Sequence, residues 1–396
     1  MNKKDRLTGF FAVMFFFNVA ANLAHPVTPT IIVDLKLNNY MFGLAMAAQM
    51  TFNFLFSPFW GKMVDRISSR AVLAIGNLGY ALGQVFFALA RTEAQLLLAR
   101  MFAGAFCGGC FVAYLTYTVN MSTGESRGKN LAINATVMAV SASTGYFAGG
   151  MLGEIHVYYP VWVQVASLVV CAVLSWFVCR DDRRGDAPRL SGRMLIRECN
   201  PFAAILQCRR FMTKLLAYLF IVYGLLNLGY MAVEQCFNYY LRDQFGLSSG
   251  YNGVIKAALA IVSLVANTTL CMWILRRKRP SFYLLGALGI CAAAAVAAFA
   301  CMELVPFIIA CVVVFALYYV STPLSQNSVA ALGQGKDSNL VMGSYNAVKS
   351  FCSIFGSALA GFIYEIGPNL PFAFGAVAFA AAAVSMLMFC RAETAR

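Results

Sequence analysis

Residues 281–300 read SFYLLGALGICAAAAVAAFA, a stretch that carries no charge from end to end. At about 1.5 Å of rise per helical residue, such a run is long enough to cross the ~30 Å hydrocarbon core of a bilayer. Its apolar residues are continuous rather than alternating, so it does not read as a strand of a transmembrane barrel, whose segments change polarity at every second position. The flanks are polar: Arg276-Arg277-Lys278-Arg279 precede it, and Glu303 follows.

Similar runs recur along the chain. They predict spans over 7–33, 41–60, 71–90, 94–120, 131–153, 160–179, 213–240, 250–275, 281–301, 304–325, 341–364 and 371–390. Of 396 residues, 61% are hydrophobic and 12% charged, about half the charged share of a soluble domain, which excludes an ordinary water-soluble fold. The fold class expected is therefore an all-α integral membrane protein of twelve transmembrane helices. The first apolar run is too long for the core of a signal peptide and is expected to be retained.

The net charge of +14 does not point to nucleic acid, because the basic residues gather in alternate loops. Arg66 and Arg70, the 180–214 stretch and the Arg276–Arg279 cluster fall on one side, which predicts a multi-pass protein with both termini in the cytoplasm, and the membrane expected is the plasma (inner) membrane. The thirteen cysteines are scattered through apolar segments without ligand-like pairing, and Cys107 and Cys110 read as small packing residues rather than a redox pair. No glycine-rich phosphate loop is present, and the two histidines, His25 and His156, are not grouped with other ligands. No cofactor, metal or enzymatic chemistry is expected.

The two halves of the sequence repeat at a near-constant displacement. Gly76-Asn-Leu-Gly79 returns as Gly286-Ala-Leu-Gly289, displaced by 210, and Gly145-x4-Gly150-x3-Glu154 returns as Gly356-x4-Gly361-x3-Glu365, displaced by 211. Asn18-x6-His25 returns as Asn227-x6-Glu234, displaced by 209. A parallel duplication predicts two pseudo-symmetric six-helix halves, 1–179 and 213–396, joined by a cytoplasmic linker at 180–212. The linker is expected to lie against anionic head groups, with room for an amphipathic helix near 201–208.

Three motifs carry a family resemblance. Gly61-Lys-Met-Val-Asp65-Arg66-Ile-Ser-Ser-Arg70 resembles the loop signature GxxxD(R/K)xG(R/K)(R/K) of the major facilitator superfamily, with Ser68 and Ser69 in place of the second glycine and one basic residue. The resemblance implies that Gly61, Asp65, Arg66 and Arg70 form a cytoplasmic latch between the halves. Here they read as a glycine turn and its charges. Arg100-x3-Gly104-x3-Gly108 is similar to the family's fourth helix, and Ser141-x3-Gly145-Tyr146-x2-Gly149-Gly150 to its antiporter signature GxxxGPxxGG, with Tyr146 at the proline position. Small residues at this spacing let a neighbouring helix approach closely, the role expected of Gly145, Gly149 and Gly150 and of Gly356 and Gly361 in the repeat. The nearest branch resembles the twelve-helix drug:proton antiporters.

Because the family lines its cavity mainly with helices 1, 4, 7 and 10, the resemblance implies substrate contacts from Asn18, Asn22, Arg100, Tyr114, Tyr117, Asn227, Tyr230, Tyr318 and Tyr319. Glu234 is the one acid placed inside a span, which makes it, with His25, the candidate for proton coupling. Pairing with Lys256 is the structural alternative for that acid. The expected function is proton-coupled export of small amphipathic or drug-like compounds by a protein working as a monomer in the lipid bilayer. The alternatives are gradient-driven import of a polar or anionic metabolite and a non-transporting receptor.

Overall fold

A computed structural model describes residues 3–122, 124–182, 200, 212–277, 279–301, 303–333 and 338–394. Most of the predicted linker, its possible amphipathic helix and Lys278 lie outside the described residues. Among the described residues every regular element is helical. In chain order the helices are α1 (Lys3–Leu23), α2 (Thr28–Asp34), α3 (Met41–Ile67), α4 (Ser69–Leu89), α5 (Glu93–Asn120), α6 (Gly124–Ile155) and α7 (Tyr159–Val178). They continue as α8 (Lys214–Asp243), α9 (Ser249–Ala266), α10 (Met272–Leu275), α11 (Pro280–Ala300), α12 (Leu304–Leu332), α13 (Ser338–Ile366) and α14 (Leu370–Thr394).

Eleven helical stretches of the described residues are long and apolar enough to cross a membrane, the first of them running through α1 and α2. Helix α3, expected as the second span, has 27 residues but carries Gln49, Asn53, Lys62, Asp65 and Arg66, and is not one of the eleven. Large apolar side chains such as Leu89, Val170, Phe177, Ile261, Ile309 and Val377 are exposed along these helices, the arrangement a lipid solvent favours.

Local chemistry sets several boundaries. Thr92 and Gln95 form a reciprocal capping box at the start of α5, and the Thr213 hydroxyl accepts the Leu216 N–H at the start of α8. The first span is interrupted at residues 24–27, where Pro26 has no N–H to donate, and resumes at Thr28 with Pro29 in its first turn. Residues Asn267–Cys271, after α9, widen into a π-helical turn, and the Thr268 and Thr269 hydroxyls donate to the carbonyls of Leu264 and Val265.

The glycine turn expected at Gly61 is not observed. Helix α3 continues through that position to Ile67, and a Cβ on Gly61 would meet nothing within 4 Å. The chain turns instead at Ser68, whose φ of 83° and ψ of 155° lie in a region that glycine alone occupies easily. Ser68 stands where the family signature has its second glycine, and its buried hydroxyl has no hydrogen-bond partner. Ser68→Gly is expected to stabilise the folded chain by about 1 kcal/mol, the relief of strain exceeding glycine's entropic cost. Thermal unfolding in detergent measures it, and a lowered midpoint would contradict the assignment of strain.

The chain separates into two compact units: Met1–Leu37 with Ala48–Pro201 and Leu247–Ala257, and Asn38–Ala47 with Phe202–Gly246 and Ala258–Arg396. In the first unit α4 packs on α5 and α7, and α1 on α6 and α7. Phe10, Phe17, Leu73, Tyr80, Cys107, Cys110 and Leu168 belong to its core. In the second, α11 packs on α12 and α14, and α8 on α13 and α14. The rings of Phe237, Tyr240, Phe307 and Phe372 pack together there.

Candidate functional site

In the second unit, Asn227, Tyr230 and Glu234 fall on one stripe of α8, three and then four residues apart. Helix α12 brings Tyr318 and Tyr319 to that stripe. The rings of Tyr230 and Tyr318 stack with centroids 3.5 Å apart and planes within 7°. Tyr319 meets both rings edge-on, and its hydroxyl lies 3.4 Å from that of Tyr230. The Tyr318 hydroxyl donates to Asn227 Oδ1 at 2.8 Å, while Asn227 Nδ2 donates to the Tyr223 carbonyl one turn earlier. Asn227 is thereby satisfied and fixes the orientation of Tyr318.

Tyr318 and Tyr230 are buried, but Tyr319 is 44% exposed and Glu234 half-buried, so the cluster has an accessible side. Glu234 accepts from Gln235 Nε2 at 3.4 Å and lies one helical turn beyond Tyr230 on α8. The stripe thus carries a carboxylate one turn from Tyr230, whose ring stacks on Tyr318, and charge together with aromatic rings can attract cations. The sequence reading missed Tyr223 and Tyr345, which stack at 3.8 Å one turn below Asn227. Tyr223 lies on the same helical stripe, four residues before Asn227, and that spacing was the available signal.

The first unit arranges its polar residues differently. Asn18 donates to the Met14 carbonyl at 2.9 Å and Asn22 to the Asn18 carbonyl at 2.7 Å, so Asn18 repeats the back-bonding of Asn227. His25, at the interruption after α1, stacks on Tyr146 of α6 with centroids 5.5 Å apart. Lys256 of α9 places its Nζ 5.7 Å from the same Tyr146 ring. Tyr114 and Tyr117 are fully buried against Phe10 in the aromatic core, and Tyr117 accepts the Arg180 N–H. Both tyrosines therefore pack inside the unit instead of facing open space.

Arg100 is buried with protein partners. Its guanidinium donates to Gln49 Oε1 at 3.1 Å and Thr28 Oγ1 at 3.0 Å, and lies 3.9 Å from the Phe87 ring centroid. The glycines that follow explain how Gln49 comes so close: a Cβ on Gly104 would collide with the Gln49 carbonyl, and one on Gly108 would sit 3.0 Å from Asn53 Oδ1. Lysine cannot reproduce a two-armed donor stacked on a ring. Arg100→Lys is expected to destabilise the protein by roughly 2 kcal/mol, measured as a lowered unfolding midpoint. An unchanged midpoint would show that the fork geometry is dispensable.

Gly145 and Gly149 of α6 approach the backbone of α1 at Val19 and Leu23, and Gly356 of α13 approaches α8 at Leu228. Gly150 meets Gly253, and Gly361 meets Tyr40. Of the charged signature residues, Arg70 pairs with Asp181 at 3.3 Å and lies 4.9 Å from the Trp176 ring centroid, within the first unit. Asp182 accepts from the Ser69 N–H and hydroxyl, both at 2.6 Å, and from Asn120 at 2.9 Å. Asp65 and Arg66 are half-buried on the last turns of α3.

The Major Facilitator Superfamily model matches residues 9–322 and again 219–396. The chain belongs to the Major Facilitator Superfamily. Membership in the superfamily makes it a multi-pass membrane transporter of small molecules rather than an enzyme. Multidrug resistance protein 1 of Bacillus subtilis (strain 168) is 21% identical over 96% of this chain and 95% of its own length. Quinolone resistance protein NorA of Staphylococcus aureus (strain MSSA476) is 22% identical over 63% of this chain and 61% of its own length. Among solved superfamily structures, that of a point mutant of the nucleoside transporter NupG matches with a TM-score of 0.79 at 12% identity, covering 98% of this chain and all of the other. At that identity the likeness concerns the fold alone.

Proposed function

We propose that this transporter exports amphipathic, drug-like compounds, preferentially those bearing a positive charge, in exchange for protons. The observation that carries the reading is Glu234 one helical turn from Tyr230, whose ring packs with Tyr318 and Tyr319, because an acid near aromatic rings suits a flat cation and is also a group a proton can occupy. Support comes from the relatives, which are a multidrug resistance protein and a quinolone resistance protein. In this reading twelve spans form two six-helix halves, 1–179 and 213–396, that rock about the linker at 180–212 and alternate access to the site. The protein works as a monomer in the plasma membrane with both termini cytoplasmic. Gly61, Asp65, Arg66 and Arg70 serve the cytoplasmic latch, and His25 assists proton movement or touches solute.

Cells lacking the gene, loaded with a panel of cationic, neutral and anionic amphipaths, test the proposal. Greater retention of the cations supports it. Reduced uptake of a polar or anionic solute instead would favour import. Proteoliposomes that move no solute under any imposed gradient would favour a receptor.

A further inference from the structure

Two helix starts in this chain are held by acids from the ends of other helices, and the four partners are related by the internal repeat. Glu154, at the end of α6, accepts the backbone N–H of Gly250 in the first turn of α9. Glu365, at the end of α13, accepts the backbone N–H of Tyr40, immediately before α3, at 3.0 Å. Glu154 and Glu365 are displaced by 211 residues, and Gly250 and Tyr40 by 210. The crossings beneath them correspond as well: Gly150 lies against Gly253, and Gly361 against Tyr40 and Gly43.

Each crossing has further ties. At the first, the Thr30 and Ser249 hydroxyls are 3.0 Å apart, and Ser143 donates to the Ala257 carbonyl at 3.2 Å. At the second, Ser357 donates to the Gly43 carbonyl at 2.9 Å, and the Phe42 ring stacks on Tyr239 with centroids 4.7 Å apart. The backbone approach places each carboxylate at the N-terminal end of a helix, where orphan N–H groups and the positive end of the helix dipole favour an anion.

The chain's connectivity gives these clasps a consequence. Residues 41–47 of α3 belong to the second unit and the rest of the helix to the first, while residues 249–257 of α9 belong to the first unit and the rest to the second. Each clasp therefore holds the start of a helix whose remainder belongs to the other unit. If α3 or α9 stays straight, its start can follow the rest of the helix only by parting the crossing.

We propose that Glu154 and Glu365 are positioning residues that act as one duplicated clasp, holding these helix starts in the resting state and releasing together when the end assigned to the outside opens. The inference rests on the alternating-access reading above, but not on the identity of the solute or on Glu234. Loss of a carboxylate cap that is exposed on one side is expected to raise local opening about fivefold. A purely local cap and a shared clasp differ in where that change appears.

The test is amide hydrogen exchange on the full chain in lipid nanodiscs, comparing Glu154→Gln, Glu365→Gln and the double variant with the parent. Exchange over 40–47 and 249–257 is the readout, with the core segment 103–114 as an internal control for folding. Each single variant is expected to speed exchange about fivefold at both segments, the distant one included, while the control stays unchanged. Asp at either position, being shorter, should not restore the parent rate, whereas reversion to Glu should. Acceleration confined to the substituted residue's own crossing overturns the shared clasp and leaves two independent caps. No acceleration at either segment overturns any clasping role. If the control segment also exchanges faster, Gly253→Ala and Gly43→Ala, which press on the crossings from the other side, replace the acid variants under the same criterion.

Discussion

Glu234→Gln is expected to abolish pH-gradient-driven accumulation or extrusion of solute while leaving gradient-independent solute exchange in place. Glutamine preserves the size of the side chain and its ability to bond Gln235, but it neither carries charge nor releases a proton. The stacked pair of Tyr230 and Tyr318, tied to Asn227, does not depend on the acid, so the aromatic part of the site should persist. Cation affinity should fall roughly tenfold or more, the worth of one partly desolvated charge-assisted contact, with neutral solutes affected less. Counterflow and pH-jump assays in proteoliposomes separate the two functions. A well-folded variant that still concentrates solute against its gradient would make Glu234 a structural residue and remove proton coupling from this site.

Much of that site was legible because helical spacing is a local property. Asn227, Tyr230 and Glu234 share a stripe that can be counted in the sequence, and the repeat with Asn18 and His25 pointed to the same turn. What a stripe does not encode is whether it faces open space or a core. Tyr114 and Tyr117 obey the same spacing, yet Phe10 and Phe17 cover them. The partners of Arg100 were illegible for another reason: Gln49 and Thr28 lie on other helices, and only the packing at Gly104 brings them within reach. The turn at Ser68 was misplaced to Gly61 because glycine was weighed as a turn residue, whereas the positive φ falls on a serine. The spans were clear from apolar runs, but the breaks within them depend on single residues such as Pro26 and on the π-helical turn at Asn267.

Gly145→Leu and Gly356→Leu are expected to eliminate most folded protein, and Gly145→Ala and Gly356→Ala to destabilise it by about 1–3 kcal/mol each. The two glycines are related by the repeat and meet the same kind of obstacle. A Cβ on Gly145 would press on the Val19 carbonyl and sit 2.8 Å from Asn22 Cβ, and one on Gly356 would press on the Leu228 carbonyl. Backbone cannot rotate aside as a side chain does, so the added atom must separate α6 from α1, or α13 from α8, and the separation forfeits contacts along the whole interface. Repeated spacing between the halves is not sufficient to predict the effect. Gly76 and Gly79 would strike Cys110 and the Phe106 ring, yet their repeat counterparts Gly286 and Gly289 have nothing within 4 Å of an added Cβ. Gly286→Ala and Gly289→Ala should therefore be neutral or stabilising by up to about 1 kcal/mol, since alanine has the better helix propensity. Unfolding midpoints of the four alanine variants in one detergent make the comparison. Equal losses at all four positions would show that glycine serves the helices themselves, and equal tolerance would show that neither α6 nor α13 depends on close approach.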